Sequence, residues 1–330
     1  MLERKTFSKI GLSLFASIIA VNVFAVAAVV VFFVVSVFRN MAGGSVDIAD
    51  LSDRAAELLS SGWFSVALLA IGDLIIILVV WLFVRKLPKA PARPIEPGSG
   101  GKWAMVFSIF CICMALVHIL AEVGWFVNSV LQGLFPVPVY ESTSPISAAT
   151  DYSELVMNFV MACMIAPVAE EIIFRKLVLT PLRAFGDTAA ILFSGIAFGL
   201  FHQNFEQMFY AAAIGILLGY AYIRTNRLWV PITIHFMVNF MGGIVPSMLD
   251  MWLPDRSNAI LCGMIVAFWI IGGGLVISLR KKIVLEPAPF RFSVPITAKL
   301  AVGNVGVILF TVLCLGLSLF MALLPGLTNI

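Results

Sequence analysis

Three short runs carry side chains whose types and spacing suit the activation of water. They are Glu170-Glu171-Ile172-Ile173-Phe174-Arg175, Phe198-Gly199-Leu200-Phe201-His202 and His235-Phe236-Met237-Val238-Asn239. In such a set one group takes a proton from water, a second fixes the water's orientation, and donors stabilise the oxyanion that forms on a carbonyl. On a helix, Glu171 and Arg175 fall four apart on one face with the acid first, the favourable order for an ion pair. Glu170 is turned about 100° from Glu171. One acid is thus neutralised by Arg175 while the other faces a cavity, where an unpaired carboxylate suits a general base. His235 and Asn239 also share a face. Pro231, just ahead of them, suits a helix start. Pro167, three residues before Glu170, is expected to kink its helix by removing a hydrogen bond.

The elements that must hold these groups are membrane helices. Of 330 residues, 61% are hydrophobic and 12% are charged, about half the roughly 25% usual in soluble domains. The mean hydropathy is +1.06. These values exclude a soluble globular protein, a disordered chain and a disulfide scaffold, and a net charge of +3 gives no surface for nucleic acid. Strands of an outer-membrane barrel would alternate polar and apolar residues, which these runs do not. The fold class is therefore all-α, a polytopic transmembrane helical bundle. About 20 apolar residues cross the hydrocarbon core, and nine runs qualify: 10–38, 63–84, 103–121, 153–174, 188–205, 207–223, 228–248, 259–279 and 299–324. Eight spans is the alternative, since only Gln203–Gln207 separates the fifth and sixth runs. Cys111, Cys113, Cys163, Cys262 and Cys314 all fall in apolar runs and read as small buried hydrophobes.

Charge placement tests the count. With the amino terminus in the cytoplasm and sides alternating, 18 of the 21 Lys and Arg residues fall on the cytoplasmic side, and only Arg39, Arg54 and Arg256 fall outside. The positive-inside rule asks for this. Asp47, Asp50, Asp53, Glu57, Glu141, Asp151, Asp250 and Asp255 fall on the outer side. The expectation is an integral, multi-pass protein of a bacterial cell membrane, amino terminus inside and carboxy terminus outside. Its first run reads as a signal anchor rather than a cleaved signal peptide. Lys86–Gly101 reads as a flexible cytoplasmic linker. Val123–Tyr152 reads as an outer loop with Pro136, Pro138 and Pro145, and its amphipathic opening from Gly124 is expected to lie along the interface.

A charged side chain near a bilayer centre costs roughly 2.5–3.5 kcal/mol on insertion scales. Glu170, Glu171 and Arg175 must therefore be paired, wetted or used. Asp73 and His118 are isolated in the second and third runs, and read as a structural hydrogen-bond partner and a core histidine.

The three motifs, in this order on successive hydrophobic helices, resemble the CPBP intramembrane protease family. That family comprises type II CAAX prenyl endopeptidases, Abi proteins and bacteriocin-processing or immunity proteins. The resemblance covers roughly residues 150–245, and divides the chain into amino-terminal spans and loops (1–150), a catalytic core (151–248) and carboxy-terminal spans (249–330). It implies an intramembrane endopeptidase acting near the cytoplasmic face on a membrane-associated or peptide substrate, prenylated or not, among membrane lipids. Glu170 would activate water and His202 would help hold it, while His235 and Asn239 would stabilise the oxyanion. Glu171 and Arg175 would support the site, and Phe198 would pack beside His202. Members are described both as metal-independent glutamate proteases and as metalloproteases. Glu170, His202 and His235 are the candidate zinc ligands, but the His-Glu-x-x-His arrangement is absent, and the metal-free form is the expectation.

One point resists this picture. Alternating topology puts Glu170 and His235 toward the cytoplasm and His202 toward the outer end of the fifth run. Convergence then requires that run to be tilted or broken, or Arg183 and Asp187 to sit deeper. The expected outcome is a cavity opening to the cytoplasm. Two other classes fit the same residues. One is a non-catalytic scaffold or bacteriocin-immunity-type protein, its polar cluster knotting three helices. The other is a proton-coupled transporter using Glu170, Asp73 and the histidines as a relay, although no internal repeat is evident.

Overall fold

The computed structural model describes residues 2–42, 62–87, 101–135, 149, 151–287 and 303–327. The linker residues Lys89, Arg93, Pro136, Pro138, Glu141 and Pro145 lie outside the described residues, as do Asp47, Asp50, Asp53, Arg54, Glu57, Arg291 and Lys299. Among the described residues the chain forms helices and no strands. The long ones are α1 (Leu2–Ala42), α2 (Gly62–Val84), α3 (Gly101–Leu134), α4 (Tyr152–Phe185), α5 (Asp187–Phe201), α6 (Phe205–Thr225), α7 (Trp229–Trp252), α8 (Pro254–Leu279) and α9 (Val305–Leu327). Eight of the nine are long and apolar enough to cross a membrane. The exception is α5, whose 15 residues reach about 22 Å at 1.5 Å per residue, short of a core of about 30 Å.

Caps and turns set these limits. The Asp151 carboxylate accepts from Glu154 N at 2.9 Å and starts α4. Gly186, at φ +99°, makes the sharp turn into α5, a backbone region that glycine enters without steric cost. Asn204 Oδ1 accepts from Gln207 N at 2.8 Å and starts α6, and Asn226 in the left-handed region ends it.

In lipid no hydrophobic force joins apolar helices, so small residues that let backbones approach decide the packing. Along the α5–α6 hairpin, a Cβ on Gly195 would lie 2.7 Å from Ile216 N, and one on Gly199 would lie 2.9 Å from Ala212 N. Gly11 of α1 packs on Val307 of α9 in the same way, where Gly306 N donates to Ser8 Oγ at 3.2 Å. Gly124 of α3 lies against the first turn of α6. That contact explains a departure from expectation: the stretch opening at Gly124 does not lie along the interface but continues α3 to Leu134.

Most of the described basic residues gather at one set of helix ends: Arg4, Lys5, Lys9, Arg85, Lys86, Lys102, Arg183, Arg224, Arg227 and Arg280–Lys282, while Arg175 and Lys176 lie within α4 and Arg39 at the far end of α1. Asp151, Glu154, Asp250 and Asp255 stand at the other set, with Arg256. Between them a core of α1, α2, α4, α5, α6 and α9 side chains, including Phe7, Ile76, Phe174, Phe198 and Phe310, fills the basic half of the bundle.

Candidate active site

Glu170 and Glu171 stand on one α-helical stretch of α4, Ala166–Glu171, between two π-helical stretches, Phe159–Ile165 and Ile172–Leu179. Pro167 lies in the first turn of that stretch. Its effect is a widening of the helix rather than a plain kink, since each π turn holds an extra residue, a feature that recurs at functional sites. A third π stretch, Phe240–Ile244, begins directly after Asn239 in α7.

The two acids meet different fates. Glu171 is fully buried and bound by Arg175, which donates from Nε to Oε2 at 2.7 Å and from Nη2 to Oε1 at 3.1 Å. Arg175 Nη1 donates to Ser194 Oγ at 3.1 Å, and Ser194 Oγ donates to the Phe174 carbonyl at 2.9 Å. The Phe198 ring lies 5.2 Å from Arg175 Cζ, within cation–π reach. Pairing and full hydrogen bonding are what make such a buried charge tolerable. Glu170 projects elsewhere, with 24% of its side chain open, onto a cavity of about 490 Å³.

The histidines face the same cavity. His235 presents Nδ1 to Glu171 Oε1 at 3.3 Å and Nε2 toward Glu170 Oε2 at 3.7 Å. His202 Nδ1 lies 2.8 Å from the Phe198 carbonyl. A carbonyl only accepts, so Nδ1 carries the hydrogen and Nε2 keeps a lone pair. Phe198 packs between the two rings, 4.9 Å from that of His202 and 5.7 Å from that of His235. Asn239 Nδ2 donates to the Ala162 carbonyl at 2.7 Å, leaving the amide a second N–H.

His202 comes to line the same cavity as Glu170 because α5 runs back along the last part of α4. Fifteen residues separate Glu170 from Phe185 at the end of α4, and fifteen separate Asp187 at the start of α5 from His202. The chain descends past Arg183, turns at Gly186 and climbs back along α4. Arg183 and Asp187 are correspondingly buried, with Nε and Oδ1 3.1 Å apart. The topological conflict seen in the sequence came from ending the fourth helix too soon.

All the sequence-derived residues with a cavity role, Glu170, Phe198, His202, His235 and Asn239, line this one cavity. Its direction differs from expectation. Several further lining groups, among them Glu122 and Trp125 of α3, Asn158 and Met161 of α4 and Gly242 of α7, stand on the Tyr152 side of Glu170, while Ala211 and Ile214 of α6 form the cavity floor. The cavity therefore extends toward the acidic helix ends, because the phenylalanine core fills the basic half. Sequence reasoning missed Ser194, although Ser194, Phe198 and His202 at four-residue steps share one helix face. It also missed Glu206, Gln207 and Tyr210 of α6, which reach the cavity only through the hairpin. Asp73 does not serve as a fully bonded structural partner, since its buried Oδ2 has no hydrogen-bond partner among the described residues. His118 is half-buried on α3, one turn from Glu122, and does not line the cavity. Among the described residues no three His, Cys, Asp or Glu side chains are grouped to hold a metal ion.

Residues 152–241 match the family model described as Type II CAAX prenyl endopeptidase Rce1-like, a segment that holds all three motifs. The chain is 28% identical over 171 residues to a protein of Bacillus subtilis (strain 168) named Putative membrane peptidase YdiL. The match takes in 49% of this chain and 64% of that protein's length. No solved structure matches. The central segment of the chain is thus similar to type II CAAX prenyl endopeptidases of the Rce1-like kind and to a membrane peptidase relative.

Proposed function

We propose that the chain is an intramembrane endopeptidase in which Glu170 activates water to hydrolyse a peptide bond. The observation that carries this reading is the contrast between neighbouring acids. Glu171 is bound by Arg175 and His235, whereas Glu170 opens on a cavity shared with His202, His235 and Asn239. A water between Glu170 and His202 gives one proton to the Glu170 carboxylate while its other hydrogen bonds to the His202 Nε2 lone pair, and its oxygen adds to the carbonyl carbon. The charge that moves onto the carbonyl oxygen meets the second N–H of Asn239 and the Nε2–H of a His235 ring that carries a hydrogen on both nitrogens, Nδ1 being held by Glu171. The C–N bond then breaks as Glu170 passes its proton to the leaving amine, and one water is consumed.

The apolar cavity walls favour a substrate that already resides in the membrane, prenylated or not. The basic helix ends face the cytoplasm under the positive-inside rule, so the cavity admits its substrate from the opposite half of the bilayer.

The test is cleavage by purified protein of a lipid-anchored peptide library in liposomes, with and without a farnesyl group. Glu170→Gln and His202→Asn are each expected to lower kcat by about a hundredfold or more without loss of folded protein. Unchanged cleavage in both variants overturns the mechanism. Activity that survives chelation supports the metal-free form, and activity lost to a chelator and restored by zinc replaces it.

A further inference from the structure

Glu206 forms part of the wall of two separate cavities. One is the large cavity that holds Glu170 and His202. The other is a polar pocket of about 20 Å³ between α3, the α5–α6 turn and α9, lined by Asn128, Gln132, Asn204 and Ser318. That volume suits about one water. Gly124 lets α3 reach this place, since a Cβ there would lie 2.6 Å from Glu206 Cα. One turn further on, Asn128 Nδ2 donates to Glu206 Oε1 at 3.1 Å. Asn128 Oδ1 is buried and finds no donor among the described residues. A buried acceptor left dry costs about 1–3 kcal/mol, and in a polar pocket of this size a water meets the need. Polar groups continue inward: Asn204 Nδ2 donates to Gln207 Oε1 at 2.8 Å, and Gln207 and Tyr210 both stand on the wall of the larger cavity.

We propose that Asn128 and Glu206 form a side entrance that supplies water to Glu170 while the larger cavity is filled by substrate. The inference rests on the endopeptidase reading. Hydrolysis consumes one water per bond, and an apolar substrate entering the large cavity displaces the water there. The small pocket lies behind Glu206, off the path of the substrate and within two residues of the Leu134 end of α3 through Gln132. Glu206, with Asn128 on one side, stands on the wall between the two cavities.

Two measurements on the full chain in nanodiscs test this. In hydrogen exchange read by mass spectrometry, the 205–210 segment of α6 is expected to exchange at least about tenfold faster than 214–222, and Asn128→Leu to slow it toward the latter (a wet pocket being the cause of local opening). In steady-state cleavage, Asn128→Leu is expected to lower kcat about tenfold, the scale of one lost hydrogen bond, at unchanged KM, with Asn128→Ser restoring the rate. Exchange indifferent to Asn128→Leu overturns the entrance whether or not cleavage occurs. A raised KM at unchanged kcat overturns it too, by making Asn128 part of the substrate wall. A chain that cleaves nothing removes the endopeptidase reading and the use of the water, while the exchange result separately decides whether the entrance exists.

Discussion

The side-chain amide of Asn239 occupies a carbonyl that Pro167 leaves free. In the π-helical stretch of α4 the backbone bonds run five residues back, as from Ala166 N to Met161 O. The next rung would join residue 167 to the Ala162 carbonyl, but proline has no N–H. Asn239 Nδ2 donates there instead, at 2.7 Å. A residue in α4 thereby selects the anchor point of α7, and with it the direction of the second amide N–H, the one assigned to the oxyanion.

This relationship predicts non-additive stabilities. Asn239→Ala strands the Ala162 carbonyl and is expected to cost about 1–3 kcal/mol. Adding Pro167→Ala supplies the missing backbone N–H and is expected to recover most of that loss. Thermal unfolding of the two single variants and the double variant in detergent measures it. Simple additivity would show that the two residues do not share the carbonyl.

A second prediction concerns the buried charges. Arg175→Met leaves Glu171 with His235 alone in a fully buried place, and is expected to cost about 3–5 kcal/mol. Glu171→Gln combined with Arg175→Met removes both charges and is expected to return most of the stability. Cleavage should stay low in the double variant, because His235 loses the carboxylate that fixes its Nδ1 edge. A double variant as unstable as Arg175→Met would mean that packing of the long Arg175 side chain, rather than charge, holds the site.

Phe198 gives a third. Its ring touches the faces or edges of Arg175, Phe174, His202 and His235, so Phe198→Ala is expected to cost about 3–5 kcal/mol. Phe198→Leu fills more of the space and is expected to stay folded while losing kcat, since the two histidine rings lose their common spacer. Equal kcat in Phe198→Leu and the parent chain would confine Phe198 to a packing role.

These cases show which parts of the site were legible in the sequence. Four-residue spacing fixes a shared helix face, so the pairing of Glu171 with Arg175 could be read directly, whereas the packing of Phe198 on His202 was implied by the family resemblance. Low charge content and long apolar runs gave the helical membrane bundle for the same reason. The level of His202 could not be read, because it depends on where α4 ends and on the Gly186 turn rather than on any local pattern. The reach of α3 past Gly124 was hidden too: amphipathic spacing suggested an interfacial helix, and a tertiary contact with α6 overrode it. The direction of the cavity follows from which half of the bundle the phenylalanines fill, a property of six helices together.

The hairpin that lifts His202 to Glu170 yields the last prediction. A methyl group at Gly199 would run into the Met208 carbonyl and lie 2.9 Å from Ala212 N, backbone atoms that cannot turn aside. Gly199→Ala must therefore push α5 away from α6, at a cost of about 1–3 kcal/mol. His202 follows within a turn and is tied to the Phe198 carbonyl, so its ring moves away from Glu170. Gly219 stands on the same interface, but a Cβ there meets only side-chain ends, Leu179 Cδ1 at 3.1 Å and Ile191 Cγ1 at 3.6 Å. Those ends can rotate, and Gly219→Ala lies toward the far end of the hairpin from His202. Compared at matched folded fractions, Gly199→Ala should lose most of its kcat and Gly219→Ala should keep it. Equal rates in the two variants would mean that the close approach of α5 to α6 is not what sets His202 beside Glu170.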